Sequence, residues 1–278
     1  MSPGGNAVVT WAWGSADRDH RFRVQAAYRP AGERWRDAVD LTPANGSEDP
    51  VPAIDGRGEV LVVNGSESVV MKARRRVVGR GWLPEQVLGR AGERSGPDSW
   101  DVAASRDGDA VVVYTRYDHG RSAAYARHRP AAGPWGDQLL ISPADIGAWA
   151  PSVVMDASGT STAVWSRTFH RIDAVRRPPA GPWGSPRQVV AADPEDSTAS
   201  TDANDHGDVL VTWQRYDTGV MGAYRPTAGD WTDPFRITPL PGASQYRSAV
   251  ALGDDGAIVA VWIPGQVPGP VRFRAVTP

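Results

Sequence analysis

The stretch Pro151–Ala191, PSVVMDASGTSTAVWSRTFHRIDAVRRPPAGPWGSPRQVVA, decides the fold class. PSVVMD (Pro151–Asp156) is a short apolar run, Ala157-Ser158-Gly159 turns it, and STAVWSR (Ser161–Arg167) is a second run. After a polar loop come IDAVRR (Ile172–Arg177), the turn PPAGPWG (Pro178–Gly184) and RQVVA (Arg187–Ala191). Runs this short, rich in valine and aromatics and bounded by Gly, Pro and Asp, read as strands of a four-stranded antiparallel meander. No helical periodicity competes with that reading.

Outward from this stretch, the same cassette is written six times. A glycine is followed six positions later by an aromatic in Gly5/Trp11, Gly108/Tyr114, Gly159/Trp165, Gly207/Trp213 and Gly256/Trp262, with Gly58/Asn64 the worn copy. A period of roughly fifty residues belongs to radial or stacked repeat architectures. The units run approximately over residues 1–49, 50–99, 100–150, 151–198, 199–247 and 248–278 of a single domain. One aromatic per unit, at one register, packs between adjacent sheets, so Asn64 marks the second unit as the least tightly packed.

A second turn recurs as RPAGERW (Arg29–Trp35), RVVGRGW (Arg76–Trp82), RPAAGPW (Arg129–Trp135), RPPAGPW (Arg177–Trp183) and RPTAGDW (Arg225–Trp231). Glycine gives the backbone freedom of a tight turn, proline fixes φ before it, and the tryptophan folds back as an apolar plug. These tryptophans are read as structural mortar. The D-x-x-G turns at Asp55 and Asp156, with relatives around Asp107, Asp205 and Asp255, lack the alternating oxygen ligands of a calcium loop. They are read as turns in which Asp bonds its own backbone.

Composition removes several function classes. Of 278 residues, 30 are basic and 32 acidic, so no electrostatic argument favours nucleic acid or an anionic membrane. Lys72 is the only lysine, a bias expected of a high-GC coding sequence. There is no cysteine, which excludes disulfides, thiolate catalysis and thiolate metal sites. The opening MSPGGNAVV carries no basic region followed by a long apolar run, and no stretch reaches the length of a spanning helix. A soluble monomer without cofactor is expected.

Six four-stranded units, with turns of the form R-P-x-G-x-x-W, resemble a six-bladed β-propeller. The turn resembles a degenerate Asp-box, the S-x-D-x-G-x-T-W hairpin of sialidase-like blades. Proline stands in place of its Asp region, and no copy keeps the full Ser/Asp/Thr set. The whole unit, D-x-x-G-x-A-x-x-x-W followed by R-P-A-G-x-W, is similar to repeat propellers of secreted high-GC bacterial proteins. The resemblance covers nearly the entire chain. It implies an all-β, six-bladed β-propeller of four-stranded antiparallel blades and an extracellular location, with a cytoplasmic one left open by the missing signal peptide. It is specific for fold and not for function, because propellers host hydrolases, lectins and scaffolds.

The terminal blades are expected to be incomplete. Unit one begins at its second strand (Ala7–Trp11) and unit six stops after its third (Val271–Val276), so twenty-two strands are visible where twenty-four would fill six blades. Loss of an N-terminal strand is the preferred account, and a five-blade ring with overlapping ends the alternative.

Candidate ligand residues lie where the copies differ. Ten residues before each glycine stand Glu48, Asp98, Trp149, Ser197 and Tyr246, with Asp49, Trp100, Glu195, Asp196 and Arg247 nearby. Carboxylates and aromatics around one opening are the chemistry of sugar recognition, although solvated loop residues have the same composition. Eight residues after the glycine stand Arg116, Arg167 and Arg215, leading into loops with Tyr117, Asp118, His119, His170, Arg171, Tyr216 and Asp217. Three arginines on neighbouring blades form a carboxylate or phosphate clamp, resembling the arginine triad of sialidases, or else pair with loop aspartates. No R-I-P motif precedes them. His119, His170 and His20 share a loop register, but no unit supplies two closely spaced histidines, so no metal site is expected.

The preferred expectation is a non-catalytic propeller binding a glycan or peptide at the loop rim around the channel. A sialidase-like or other glycoside hydrolase, using a carboxylate pair such as Asp98 with Asp118 or Asp217, is the rival. A scaffold without a small ligand is the third reading.

Overall fold

The computed structural model describes residues 1–14, 22–44, 47–66, 70–90, 97–118, 120–143, 147–167, 171–190, 197–215, 219–237, 245–264 and 272–276. Twenty-three strands and no helix occur among them. The first sheet holds β1 (Ala7–Gly14), β2 (Phe22–Arg29) and β3 (Val39–Asp40). The second holds β4 (Ser47–Ile54), β5 (Val60–Ser66), β6 (Val70–Val77), β7 (Gly81–Trp82) and β8 (Gln86–Arg90), with β7 and β8 both paired to β6. The third holds β9 (Pro97–Ala104), β10 (Ala110–Asp118), β11 (Arg121–Arg129) and β12 (Leu139–Leu140). The fourth holds β13 (Ala148–Met155), β14 (Ser161–Arg167), β15 (Arg171–Arg177) and β16 (Arg187–Val190). The fifth holds β17 (Ser197–Ala203), β18 (Val209–Arg215), β19 (Gly219–Arg225) and β20 (Phe235–Arg236), and the sixth β21 (Gln245–Leu252), β22 (Ile258–Pro264) and β23 (Arg272–Val276).

Every sheet is an antiparallel meander, and the two terminal sheets have three strands each. The count exceeds the sequence reading by one because Gly81–Trp82 pairs with β6 as a strand of its own. First strands begin two or three residues before the unit boundaries drawn from sequence, at Ser47, Pro97, Ala148, Ser197 and Gln245.

The chain forms two compact units, Met1–Arg121 with Tyr125–Leu139, and Ser122–Ala124 with Leu140–Pro278. In the first, Val24, Val60, Val62, Val63, Met71, Ala110, Val112 and Tyr114 are buried between successive sheets. In the second, Val164, Ile172, Leu210, Val211, Trp213 and Ile258 play that part. Alternation on each strand follows the pleat, and valine fits it because its branched Cβ packs on a half-buried pleated surface. Of the repeated aromatics, Tyr114, Trp165 and Trp213 are core, each 1% exposed or less, Trp11 is part-buried, and the Trp262 side chain lies outside the described residues.

Asn64 does not loosen the second sheet. It is 1% exposed, its neighbours Val60–Val63 are equally buried, and the following Gly65 leaves room that the Trp100 ring occupies. A Cβ on Gly65 would lie 2.2 Å from that ring. Trp100 covers the opposite face of β5 from Asn64: Leu61 and Val63, on the Gly65 side, pack with Trp100, whereas Val60 and Val62, on the Asn64 side, pack against the first sheet.

The glycine turn is one structure copied six times. The N–H of Gly5, Gly58, Gly108, Gly159, Gly207 and Gly256 donates to the carbonyl three residues earlier, and all six glycines have φ between 80° and 94°. That is a left-handed conformation a Cβ disfavours. The residue opening the turn caps it with its side chain in Ser2, Asp55, Ser105, Asp156 and Asn204, each accepting the backbone N–H four residues on at 2.8–3.1 Å. Ser105 and Asn204 therefore do what the sequence reading gave to Asp107 and Asp205. Any short side chain with an oxygen acceptor serves here.

The two turn families are clasped together within a sheet. Asn6 Oδ1 accepts from Tyr28 Oη (3.0 Å) and Ala31 N (3.1 Å), and Asp109 Oδ1 accepts from Ala131 N (2.8 Å). Asp208 Oδ1 accepts from Thr227 N (2.8 Å), and Asp208 Oδ2 from Asn204 Nδ2 (2.9 Å). Burial works to raise the Asp208 carboxyl, but bonds from Asn204, Tyr224 and Thr227 outweigh it and hold the group down at about 2. Burial and the bond to Asp208 push Tyr224 up to about 12.

Candidate functional site

At the end of the sheets opposite these turns, every described first strand after the first sheet carries a β-bulge. Register breaks fall between Glu48 and Val51, between Trp149 and Ser152, between Ser197 and Ser200, between Gln245 and Arg247, and opposite Thr115/Arg116 in β9. Asp98 and Tyr246 are themselves the extra residues of their strands. Asp49 (φ 47°) and Ala150 (φ 44°) are the two non-glycine residues with positive φ among the described residues, and both sit in bulges. A bulge bends the strand and re-aims the side chains beside it. Left-handed non-glycine residues persist where their surroundings over-determine them.

The bulge brings the two sequence-selected sets side by side. In the fourth sheet Ala148 pairs with Arg167 and Trp149 with Ser166, and in the third Pro97 pairs with Arg116. Trp149 is 44% exposed and Tyr117 43%, whereas Trp100 packs on Gly65 and donates its Nε1 to Asp49 O at 3.0 Å. Trp149 thus offers an indole face to solvent, and Trp100 serves the framework.

Arg167 is engaged rather than open. Its Nη1 lies 3.0 Å from Asp173 Oδ2, a carboxylate of β15 in the same sheet that is only 3% exposed. Burial raises the Asp173 carboxyl, and Arg167 works against that rise. Arg116 and Arg215 also have interaction partners. The structure describes the backbone alone for Glu48, Asp98, Asp118 and Tyr246, while His119, His170 and Asp217 lie outside the described residues. No group of three His, Cys, Asp or Glu able to hold a metal occurs among the described residues.

Sequence reasoning passed over Trp13. It is 49% exposed at the end of β1, with the Arg23 guanidinium 5.1 Å from its ring centroid. Its position, eight after Gly5, is the register where three other units place arginine, and that substitution was the available sign. Asp173 was missed as well, because nothing in IDAVRR distinguishes a buried carboxylate from a solvated one.

The sheets, their order and their paired turns define a six-bladed β-propeller of four-stranded antiparallel blades with incomplete terminal blades. No protein-family model matches the sequence, and a search of curated proteins found no match. Solved structures do match. A Hadza microbial sialidase is 16% identical with a TM-score of 0.58, and this chain is covered in full while spanning 64% of the sialidase. A lectin from Burkholderia pseudomallei is 15% identical with a TM-score of 0.63, over 99% of this chain and 84% of the lectin. The Aleuria aurantia lectin, described as a six-bladed β-propeller with a novel fucose recognition mode, is 14% identical with a TM-score of 0.55, over 99% of this chain and 96% of its own. The likeness to a sialidase and to propeller lectins is one of fold.

Proposed function

We propose that this protein is a non-catalytic propeller that binds a glycan at the bulged ends of its sheets, a peptide being the alternative ligand of the same surface. The observation that carries this reading is Trp149, 44% exposed beside Ala150 at φ 44°. The bulge at Ala150 leaves nearly half of this large indole in solvent. An aromatic face of this kind stacks on the apolar face of a sugar ring, with neighbouring polar groups taking the hydroxyls. The propeller lectins among the similar folds, one of them described by its fucose recognition, support a sugar over other ligands. Engagement of Arg167 by Asp173 supports binding over an arginine-clamped hydrolysis. We infer an extracellular site of action, where such glycans are met.

Glycan-array screening followed by calorimetry tests this. Trp149→Ala is expected to abolish binding while leaving the melting temperature unchanged, since the side chain is half in water. Absence of any glycan or peptide ligand sensitive to Trp149→Ala overturns the reading. So does hydrolysis of a fluorogenic glycoside panel, sialosides included, that is lost in Arg167→Ala.

A further inference from the structure

At the turn end of the second compact unit, a cleft of about 430 Å³ opens between the fourth and fifth sheets. Arg176, Arg187, Arg225, Asp230 and Trp231 line it. Three guanidinium groups face one carboxylate, and that carboxylate is a weak counter-charge: Asp230 is 96% exposed and 3.8 Å from Arg187, itself 81% exposed.

At two other sheet junctions the same register places an aromatic ring or a carboxylate beside the arginine. Between the first and second sheets Arg76 lies over the Tyr28 ring at 3.9 Å. Between the second and third, Arg75 pairs with Glu59 at 3.2 Å, and Arg129 donates to the carbonyls of Gly108, Pro130 and Ala131. Between the fourth and fifth, the positions of Tyr28 and Arg76 hold Arg176 and Arg225. The position of Glu59 holds Thr160, whose hydroxyl bonds Ser158. Arg176 Nε and Arg225 Nη1 are buried donors without a hydrogen-bond partner in the protein, as are Arg76 Nη1 and Arg129 Nε, but here the positions of Tyr28 and Glu59 supply neither a ring nor a carboxylate beside the pair. Burial, with Arg176 alongside, lowers the pKa of Arg225. Buried donors without acceptors and like charges without a counter-ion are both unfavourable, and an oxyanion in the cleft relieves both at once.

We propose that this cleft binds the carboxylate or sulfate of an acidic saccharide. Arg176 and Arg225 take the oxyanion, Arg187 adds a third cation from the cleft mouth, and Trp231 lies against the sugar ring. Guanidinium forks match planar carboxylate and sulfate oxygens, and the cleft volume suits one or two sugar residues. The class of ligand, though not the site, rests on the glycan-binding reading above.

Calorimetry with digalacturonate and with galactose 6-sulfate, using lactose as the neutral control, tests it. Both acidic probes are expected to bind, lactose not, and binding is expected to weaken as salt is raised to about 0.5 M. Arg176→Gln/Arg225→Gln should lose about ten-fold or more in affinity. Arg187→Gln, whose exposed side chain makes misfolding no concern, should lose several-fold. The proposal is overturned if neither acidic probe binds, if the arginine variants bind as well as the parent, or if hexaglutamate binds more tightly than the saccharides. Neutral glycans bound through Trp149 without any acidic probe in the cleft would sink this site and leave the function proposed above standing.

Discussion

The guanidinium of Arg76 lies 3.9 Å from the ring centroid of Tyr28, so β6 of the second sheet rests a cation on β2 of the first. Tyr28 is 9% exposed and its hydroxyl donates to Asn6 Oδ1, which fixes the ring in place. One tyrosine therefore joins a turn clasp to a junction between sheets.

Replacing Arg76 by alanine is expected to lower stability by about 1–2 kcal/mol, the range of a partly desolvated cation over an aromatic face. Arg76→Lys should recover only part, because the planar guanidinium stacks on the ring and an ammonium does not. Tyr28→Phe keeps the ring and removes the bond to Asn6, so urea denaturation of the three variants separates the stack from the clasp.

Acid should undo the clasp of the fifth sheet. The Asp208 carboxyl titrates at about 2 in the folded protein, below the roughly 3.9 of an unfolded aspartate. A folded value below the unfolded one means stabilisation that is complete above about pH 4 and lost as the pH falls towards 2. Asp208→Asn should flatten that part of the stability–pH curve, followed by circular dichroism; a curve identical to the parent's would rule out this role.

The ion pair of the fourth sheet should behave in the opposite sense. Removing Arg167 as glutamine leaves a buried carboxylate without its cation, and breaking a buried pair in this way costs about 3–5 kcal/mol. Burial, already raising Asp173, then acts against the charge of Arg171 alone. A folded value above the unfolded one gives a variant that is most stable below about pH 4 and weakens as the pH rises. Adding Asp173→Asn to Arg167→Gln should restore most of the loss, measured by thermal denaturation at pH 4 and pH 7.

Restoring the repeat pattern should harm the second sheet. Asn64→Trp returns an aromatic to its consensus place, but Asn64 is 1% exposed on the face where Val60 and Val62 are buried against the first sheet, so an indole has to displace packed neighbours. Overpacking is expected to cost about 1–3 kcal/mol. Gly65→Ala should show a like conflict on the other face of β5 as a change in near-ultraviolet dichroism, since it displaces an indole.

The meander, its two turn families and the incomplete terminal sheets were legible because each depends on local chemistry: glycine at positive φ, proline before a turn, valine on alternate positions. Compensation between units was not legible. Asn64 read as a defect because nothing in its own cassette shows how fully its neighbours bury it, and Trp100, which covers the other face of β5 at Gly65, belongs to another cassette. The bulges escaped for a related reason: an extra residue shifts side chains by one place without leaving a mark such as glycine, and Asp49 and Ala150 take left-handed backbone that their identities do not announce. In the candidate site, the choice of Trp149 and Arg167 rested on differences among copies. Their adjacency depends on the pairing of Ala148 with Arg167, a register no spacing in the sequence gives. Charge balance in the cleft was invisible for the same reason, since Arg176 and Arg225 meet only across a junction.

The backbone bonds that Asn6, Asp109 and Asp208 accept from Ala31, Ala131 and Thr227 each close on a turn of the same sheet. A segment of about fifty residues can therefore be duplicated or excised as a whole with its fastening intact. Change in such a chain comes in blade-sized increments, with the junctions between blades left to negotiate charge and aromatic partners afresh after each event.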